Sequence, residues 1–503
     1  MMGTTQRSRL LPRARRTMSS VMAALCVVAA APDSGALVQA ATAPTAALPL
    51  RAVGRTFRNA VGAEVVLRGT NVNALVQYWV KDPEAAPLGP GQVRLMAAMG
   101  FNVIRLALSL SALEPRPGVI SAAYLNRIAA IVRRAQAQGI YVVLDLHQDR
   151  YSAGLFPGES DGMPPFMVRT GGAPTRPILF GITDPAVQAA FSAFWADERV
   201  DGRGLQSWYL DGLRALARRF RGNAAIAGYD IMNEPNPGLI LEGFVARYLL
   251  PFYRRAVSTI RTAGAVQPIF LEPDIVSMEL GDPLWPVQGL PSPRRNLVFS
   301  PHFYATGETG GTFSGASASG GLRELTQDAR AAARQARHLS VPLFIGEFGA
   351  GPGSAGDAQM ARDEVEMDRY GASGTYWLWS IRPGTYPWNL AAPDGALAAS
   401  PDRLAVVAAP YAPVVGGALD HFAFDPGTRV LTGQATTVRA AGSTVVAWNS
   451  LTYPAGAKLT ANRGFRLTSM STRAGSQTVT GWRAIFPPAS GRLVWRLAPS
   501  SAG

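Results

Sequence analysis

Residues 226–235 read IAGYDIMNEP, and the expected architecture of the chain can be built outward from them. The apolar opening IAGY fits a β-strand that is buried on both faces. The stretch ends in Asn233, Glu234 and Pro235, which puts a carboxyl group at the C-terminal end of that strand. A carboxyl in this position is typical of a catalytic residue on the rim of a parallel barrel. Taken alone, the stretch also fits a glutamate that only caps a following helix.

A second stretch repeats this plan late in the chain. Residues 341–349 read VPLFIGEFG, an apolar run that leads into Glu347. Two carboxyl groups on separate strands are what glycoside hydrolysis requires, one as acid/base and one as nucleophile. Glu234 and Glu347 are therefore the predicted catalytic pair.

Apolar runs with the length of buried strands alternate with helical patterns along most of the chain. The expected strands are 64–73, 101–108, 140–149, the run beginning at Ile226, 268–272, 297–303, 342–347 and 375–380. Eight alternating βα units predict a (β/α)8 barrel over residues 41–403. Polar or aromatic side chains lie near the strand ends, where this fold has its active sites: Arg105, His147, Asn233, Glu234, His302, Glu347 and Trp379.

The pattern changes from Leu404 onward. Helical periodicity disappears, and short runs such as STVVAWNS and GRLVWRLA alternate with Gly, Pro and Ser turns. This alternation of short apolar runs with turn residues predicts a small antiparallel β-sandwich over residues 404–503. The expected fold class is thus α/β, a (β/α)8 TIM barrel followed by a C-terminal antiparallel β-sandwich.

The N-terminus is typical of an export signal. Several arginines precede an apolar run at 21–31, and Val38 and Ala40 fit cleavage after residue 40. The run is too short to span a bilayer. A signal peptide over residues 1–40 predicts a secreted or cell-envelope protein, exported by either a Sec or a twin-arginine route. Cys26 lies inside this segment and is the one cysteine of the chain, so no disulfide is expected in the mature protein.

Composition excludes some classes of partner. Hydrophobic residues make up 48% of the chain and charged residues 16%, which predicts a packed globular protein. The formal net charge is +14, but scattered arginines supply nearly all of the positive charge, since Lys81 and Lys458 are the only lysines. No nucleic-acid-binding motif accompanies this charge. We therefore expect no nucleic-acid partner, and a monomer that makes at most transient contact with a membrane or micelle surface.

Several motifs together resemble glycoside hydrolase family 5. They are LDLHQDRYS (144–152), IMNEP (231–235), SPHFY (300–304), IGEFG (345–349) and TYWLW (375–379). FRNAVGAEVVLRGTNVN, SALEPRPG and FDPGTR narrow the resemblance to the endoglycoceramidase-like branch of that family. The resemblance covers roughly residues 55–383 and extends into the C-terminal region. It implies a β-glycosidase that separates a glycan from a hydrophobic aglycone, with ceramide as the first candidate.

The resemblance also implies roles for individual residues. Glu234 matches the acid/base and Glu347 the nucleophile, with retention of the anomeric configuration. Around the nucleophile, the resemblance implies an ion pair from Arg105 to Glu347 and a hydrogen bond from Tyr304 to Glu347. His302 would orient the acid/base. The implied sugar contacts are hydroxyl binding by His147 and Asp149, a 2-hydroxyl contact by Asn233, and stacking of the sugar on Trp379. Trp377 lies on the same strand face as Trp379 and is the alternative for this stacking contact.

Two departures from this branch leave the substrate open. Leu110 stands where relatives have a Trp before SALEP, and Ala74 and Leu75 stand where a sugar-contacting Lys is expected. A β-glucosidase or diglycosidase acting on another lipid, sterol or aryl glycoside is therefore an alternative. A non-catalytic glycan- or lipid-binding barrel is the alternative from a different class.

Three local patterns suggest other chemistry. GPGSAG (351–356) matches a dinucleotide-binding motif but has no suitable βαβ unit with an acidic residue, so we interpret it as a loop. GESDG (158–162) matches a serine-hydrolase motif, but Ser160 lies in a Pro-rich loop. His147 and Asp149 have no third ligand at metal spacing. We therefore expect neither a cofactor nor a metal.

Large apolar residues occur in the loops expected after strands one, three and five. They are Tyr78, Trp79, Val80, Phe166, Met167, Leu179, Phe180 and Trp285. They are expected either to pack inside their own loops or to form an apolar lip that receives a lipid at the barrel rim.

Overall fold

Eight parallel strands form a closed barrel. In chain order they are β1 (Arg68–Val72), β2 (Val103–Leu108), β3 (Tyr141–Leu146), β4 (Ile226–Asp230), β5 (Ile269–Leu271), β6 (Leu297–Phe299), β7 (Phe344–Phe348) and β8 (Ser373–Tyr376). They pair in the order β6-β5-β4-β3-β2-β1-β8-β7. A parallel bridge between Phe299 and Leu343 closes the ring. The predicted (β/α)8 barrel is confirmed.

The structure is a computed structural model that describes part of the chain. The described residues are 38–39, 47–76, 84–156, 161–176, 183–240, 242–279, 285, 290, 296–304, 318–381 and 387–500. Residues 1–37 and 40 of the predicted signal peptide lie outside this set, so that segment stays a prediction. Within the described ranges, no helix combines the length and the apolar character that a membrane crossing requires.

The barrel strands are buried on both faces. Every residue of β1 to β4 is buried, because one face fills the barrel interior and the other packs beneath the helices. Gly228 in β4 shows how closely the strands approach. A Cβ at that position would lie 2.3 Å from the carbonyl oxygen of Pro268, the residue just before β5. This contact explains why the apolar run of β4 contains a glycine.

Helices alternate with the barrel strands. The longer ones are Pro90–Ala98, Ala122–Ala137, Pro185–Trp195, Leu205–Phe220, Leu250–Thr262, Ala318–Leu339, Ser354–Tyr370 and Pro401–Val407. The short elements are Leu110–Leu113, Pro165–Met167, Val245–Leu249, Ile275–Glu279, Arg439–Ala441 and the paired strands Arg199–Val200 and Arg203–Gly204. Caps fix several starts: Asp184, for example, accepts the N–H of Ala186 ahead of Pro185–Trp195.

The motif at 351–356 is only partly the loop expected from its sequence. Gly353 has a φ of 98°, and the helix Ser354–Tyr370 begins directly after it. The last three residues of the motif therefore form the first helical turn between β7 and β8. This strand, turn and helix are one of the βα units of the barrel.

Two antiparallel sheets form the predicted C-terminal sandwich. One contains Tyr411–Val415, Thr444–Asn449, Arg466–Ala474 and Gln477–Phe486, and the other contains Gly417–Asp425, Val430–Thr437, Ala457–Ala461 and Gly491–Pro499. Side chains between the sheets form a separate core that includes Phe422, Val446 and Trp495. The predicted sandwich is confirmed.

Strands from the N-terminal region complete the first sheet of the sandwich. Leu50–Val53, Thr56–Asn59 and Glu64–Val65 lie at one edge, and Val38–Gln39 lies at the other. The strand predicted over 64–73 is therefore two strands, because only its second part enters the barrel as β1. Helix Pro401–Val407 contains the predicted domain boundary between residues 403 and 404.

Candidate active site

Arg105, on β2, is fully buried among four carboxyl groups. Its Nη1 lies 2.7 Å from Glu347, its Nη2 lies 2.8 Å from Glu272 and 3.1 Å from Asp145, and its Nε lies 3.0 Å from Asp230. Arg105 alone cannot compensate four buried anions, and His147, 2.6 Å from Asp145, and His302, 3.3 Å from Glu272, supply further positive charge. Burial, reinforced by the charge of Glu272, raises the pKa of Asp230 well above its usual range. Protonation of the cluster is therefore favoured at Asp230.

Glu347 lies on β7, and each of its two carboxyl oxygens accepts a hydrogen bond. Arg105 donates to Oε1 at 2.7 Å, and the hydroxyl of Tyr304 donates to Oε2 at 2.8 Å. Burial raises the pKa of Glu347 to about 6, and the charges of His302 and Arg105 oppose the rise. Above that pH the carboxylate is ionised and held in one orientation, as a nucleophile must be.

Glu234 follows β4 and has an unusual backbone conformation. Its φ is 41°, in a region that non-glycine residues rarely adopt. Its N–H donates to Glu272 Oε2 at 2.7 Å, and its carbonyl accepts from Gln148 at 3.1 Å. Its side chain is 16% exposed, compared with 5% for Glu347. Glu234 is thus the carboxyl better placed to meet a leaving group and water.

His302 lies between three of these carboxyl groups. Its Nδ1 is 2.9 Å from Glu234 and 3.7 Å from Glu347, and its Nε2 is 3.3 Å from Glu272. Burial alone would lower the pKa of His302, but the charges of Glu272 and Glu347 outweigh burial and raise it well above its usual range. The imidazole therefore carries a proton toward the acidic pair.

His147, just after β3, is held from three sides. Its Nδ1 lies 2.6 Å from Asp145, its Nε2 lies 3.4 Å from Asp149, and its ring stacks on Trp377 with the centroids 5.3 Å apart. Burial would lower the pKa of His147, but Asp145 and Asp149 raise it well above its usual range. Asp149 is the partly exposed member of this group, and it is the one that can reach a bound hydroxyl.

Asn233 connects two loops of the rim. Its Oδ1 accepts from Arg105 at 2.9 Å, while its Nδ2 donates to the Gln148 carbonyl at 2.9 Å and to Asp149 Oδ1 at 3.3 Å. These bonds fix the residue that precedes Glu234. The contact to a sugar 2-hydroxyl that the resemblance implies stays a prediction.

The family of the chain follows from a comparison with family models. The model described as cellulase, glycosyl hydrolase family 5, matches residues 59–382, which contain the whole barrel. The chain belongs to glycosyl hydrolase family 5.

Relatives place the chain in one branch of family 5. It is 26% identical over 368 residues to endoglycoceramidase I of Rhodococcus hoagii (strain 103S), covering 67% of this chain and 69% of that protein. It is 27% identical over 454 residues to an endoglycoceramidase of Hydra vulgaris, covering 81% and 82%. The crystal structure of an endogalactoceramidase aligns with a TM-score of 0.72 at 27% identity, covering 90% of this chain and all of that one. This chain is an endoglycoceramidase-like O-glycosyl hydrolase of family 5.

The two tryptophans that follow β8, Trp377 and Trp379, have different surroundings in this family 5 enzyme. Trp379 is 1% exposed, packs in the main barrel core, and donates its ring N–H to Gln92 at 3.1 Å. A ring enclosed in this way has no free face for a sugar, which contradicts the role expected for Trp379. Trp377 is 9% exposed and stacks on His147, so it is the tryptophan at the site.

Four residues of the site are missing from the sequence-based prediction: Asn71, Asp145, Asp230 and Glu272. Glu272 had a clear signal, since the run IFLEP ends in Glu-Pro as the run before Glu234 does. Asp145 and Asp230 each interrupt an apolar strand, and a buried carboxyl requires a partner. Asn71 accepts from Arg105 at 3.1 Å and donates to the Gly346 carbonyl at 3.0 Å. Nothing local in the sequence marks Asn71.

Two groups of side chains bring potential metal ligands together. Donor atoms of Glu234, His302 and Glu347 lie within 4.8 Å of one another, and so do those of Asp145, Asp230 and Glu272. Arg105 contacts every member of the second group, so a guanidinium already occupies the position that a cation would take. In the first group, His302 and Arg105 supply the positive charge.

Ser160, of the serine-hydrolase pattern, lies outside the described residues.

The described members of the predicted apolar lip pack inside the protein. Trp285 is buried between Tyr253 and Phe299, with centroids 5.9 and 5.6 Å away. Met167 is buried, and half-buried Phe166 packs edge-on against Trp208. These positions favour the alternative in which the large apolar residues pack inside their own loops. The other members lie outside the described residues: Tyr78, Trp79, Val80, Leu179 and Phe180.

Proposed function

We propose that this protein is a retaining β-glycosidase that cleaves the bond between a glycan and a hydrophobic aglycone. A glycosphingolipid, released as oligosaccharide and ceramide, is the first candidate substrate. Two named relatives are endoglycoceramidases, and the aligned crystal structure is of an endogalactoceramidase. Those names describe the relatives, and we extend their substrate class to this chain as a proposal.

The observation that carries this proposal is the spacing of the two carboxyl groups. An oxygen of Glu234 and an oxygen of Glu347 lie within 4.8 Å of each other. Retaining glycosidases hold their carboxyl groups about 5 Å apart, whereas inverting enzymes separate them by roughly 6.5–9.5 Å to admit a water. The spacing therefore supports direct attack by one carboxylate on the sugar.

In the first step, ionised Glu347 attacks the anomeric carbon and forms a glycosyl ester. Glu234 gives its proton to the glycosidic oxygen, so the aglycone departs as a neutral alcohol. Arg105 and Tyr304 fix the attacking carboxylate, which limits the reorganisation needed to reach the transition state. Glu347 loses its negative charge when the ester forms.

In the second step, Glu234 acts as a base. It removes a proton from water while the water oxygen attacks the anomeric carbon and expels Glu347. The second inversion restores the original anomeric configuration. Proton NMR of the first-formed sugar tests this assignment, and an inverted anomer would refute the proposed mechanism.

The glycan specificity has a second candidate supported by the loop after β1. Ala74 and Leu75 are both buried, so neither presents a charged group to a sugar at the positions where endoglycoceramidases are expected to carry Lys. A β-glucosidase or diglycosidase acting on a sterol or another lipid glycoside fits this loop as well. A non-catalytic binding protein is disfavoured, because both carboxyl groups keep the partners that catalysis requires.

Product analysis on a panel of glycolipids distinguishes these candidates. Mass spectrometry after incubation with glucosylceramide, lactosylceramide, a ganglioside and a steryl glucoside shows which bond is cut. Intact oligosaccharide with free ceramide supports the first candidate, and release of glucose from the sterol supports the second. If aryl β-glucosides and β-lactosides are also left intact, the protein is not a β-glycosidase.

We further propose that the protein is exported as a monomer and meets its lipid substrate by transient contact with a membrane or micelle. Arginines followed by a short apolar run support export. N-terminal sequencing of the protein recovered from the culture medium should begin at residue 41. Retention of residues 1–40 in the cytoplasm would refute export.

A further inference from the structure

Glu272 holds three parts of the catalytic centre at once. It follows β5, its side chain is fully buried, and its carboxylate accepts hydrogen bonds on both oxygens. Oε2 accepts the backbone N–H of Glu234 at 2.7 Å, and Oε1 accepts Arg105 Nη2 at 2.8 Å. His302 Nε2 lies 3.3 Å from the same Oε1. These contacts join the carboxylate to the residue that the proposed mechanism uses as acid/base.

Glu272 also determines where His302 carries its protons. Burial would raise the pKa of Glu272, but His302 and Arg105 outweigh burial and lower it to about 2. An ionised carboxylate is an acceptor only, so Nε2 of His302 must carry hydrogen. The opposite nitrogen, Nδ1, lies 2.9 Å from Glu234 Oε1, and the two atoms share one proton in a hydrogen bond.

We propose that Glu272 is a positioning residue for the acid/base, fixing the backbone of Glu234 and, through His302, the proton that Glu234 exchanges. This inference rests on the proposed glycosidase function and adds to it a residue that touches no reacting atom. The left-handed backbone of Glu234 supports it, because such a conformation persists only where surrounding contacts enforce it.

Several titratable and charged groups surround Glu272. They are Arg105, Asp145, Asp230 and His302 from the barrel, with Tyr209 and Tyr253 from the helices, in addition to Glu234 and Glu347. Glu114 provides a matched control, since it is also a buried glutamate that accepts a backbone N–H, from Gly118 at 2.9 Å, and its charged neighbours are Arg203 and Asp211. Glu114→Gln makes the same change of side chain as Glu272→Gln, away from Arg105 and His302.

Glu272→Gln is the informative change. A glutamine has one acceptor oxygen and one donor amide, whereas the site demands acceptors on both sides. The amide must oppose either the Glu234 N–H or the donors of Arg105 and His302. Removing the negative charge also makes protonation of His302 less favourable.

Kinetics on paired substrates test the proposal. General acid catalysis contributes about 10²–10⁴-fold in rate, and its contribution is greatest for poor leaving groups. E272Q should lose roughly 10²-fold in kcat/KM on a phenyl β-glycoside and far less on the 2,4-dinitrophenyl analogue. The basic limb of the pH–rate profile of E272Q should move to lower pH. E114Q should show neither effect. Equal losses on both substrates would overturn the proposal.

A double-mutant cycle separates action on Glu234 from action on the nucleophile. With Glu234→Ala, there is no acid side chain left to position, so adding E272Q should change azide-rescued turnover little. A full additional loss would mean that Glu272 works through Arg105 and Glu347, and the proposal would be wrong. If E272Q folds poorly, Glu272→Asp keeps the charge but shortens the reach. The Glu272→Asp enzyme should keep the basic limb of its pH–rate profile at the wild-type pH and still lose most kcat/KM on the substrate with the poor leaving group. Wild-type kcat/KM on both substrates would count against the proposal.

A measurement without turnover keeps this inference separate from the proposed function. The chain has four histidines, so ¹⁵N NMR can follow each imidazole. E272Q should lower the pH at which His302 titrates, E114Q should leave it in place, and exposed His421 serves as an internal reference. An unchanged His302 titration would overturn the inference. Absence of glycosidase activity in the wild-type protein would instead refute the proposed function, and the NMR result would still stand.

Discussion

Substitutions of Glu347 and Glu234 should have different consequences at the level of single residues. Glu347→Gln should abolish the covalent glycosyl-enzyme, because an amide cannot displace the aglycone. Glu234→Ala should slow poor leaving groups most, and azide should partly restore turnover of activated substrates. Mass spectrometry after treatment with a 2-fluoro glycoside identifies the labelled residue. A label on Glu234 would reverse the assignment.

Ionisation of Glu347 should set the acid limb of the pH profile. Burial raises the pKa of this carboxyl to about 6, so the nucleophile becomes protonated as the pH falls through that value. Below it, kcat/KM on an aryl β-glycoside should fall by about tenfold per pH unit. Tyr304→Phe removes a hydrogen bond to the charged form, so its acid limb should move to higher pH. A limb that stays at the wild-type pH would show that Tyr304 does not bond the ionised form.

Sequence patterns predicted the carboxyl pair but not the charged cluster beneath it. Glu234 and Glu347 were predictable because each ends an apolar run, a signal that is local in the sequence. The contacts of Arg105 with Asp145 and Asp230 depend on side chains from three strands that meet inside the barrel. Local periodicity contains no information on such convergence.

At the level of elements, the segment that follows β8 contains two tryptophans with opposite expected effects. Trp377→Leu should lower kcat/KM on all substrates by about tenfold, the value of one aromatic stacking contact. Trp379→Phe should instead lower the free energy of unfolding by about 1 kcal/mol, since it leaves the Gln92 acceptor without its donor. Its kcat/KM per folded molecule should stay near wild type. Kinetics and thermal unfolding of both variants would reveal the opposite pattern if the sugar stacked on Trp379.

Element boundaries show where sequence patterns were insufficient. Residues 64–73 were predicted as one strand, but Glu64–Val65 pairs with the sandwich and β1 pairs inside the barrel. Helix Ser354–Tyr370 buries several polar residues, Asp363, Glu364 and Glu366 among them, and so has a weak apolar stripe. Tertiary contacts override the local pattern in both cases.

At the level of the whole molecule, the sandwich and the barrel are joined by buried polar contacts. Asn449, from the sandwich, donates to the carbonyls of Met99 at 2.9 Å and Ala408 at 2.7 Å. Asp368, on a barrel helix, pairs with Arg68 and accepts the N–H of Phe424 from the sandwich at 2.8 Å. N-terminal strands that precede β1 also lie in the sandwich sheet. These links predict that the two parts unfold together.

Asn449→Ala tests this coupling. The Met99 carbonyl loses this donor, and the N–H groups of Leu451 and Thr452 lose the Asn449 side-chain acceptor, which should lower the free energy of unfolding by about 1–3 kcal/mol. Because the parts unfold together, residual glycosidase activity and circular dichroism should lose signal at the same, lowered temperature. Asn462→Ala is the matched control, since exposed Asn462 bonds within the sandwich to Arg492 and Val494, and its effect should be small. Activity that survives the first unfolding transition of Asn449→Ala would mean that the barrel is stable without the sandwich.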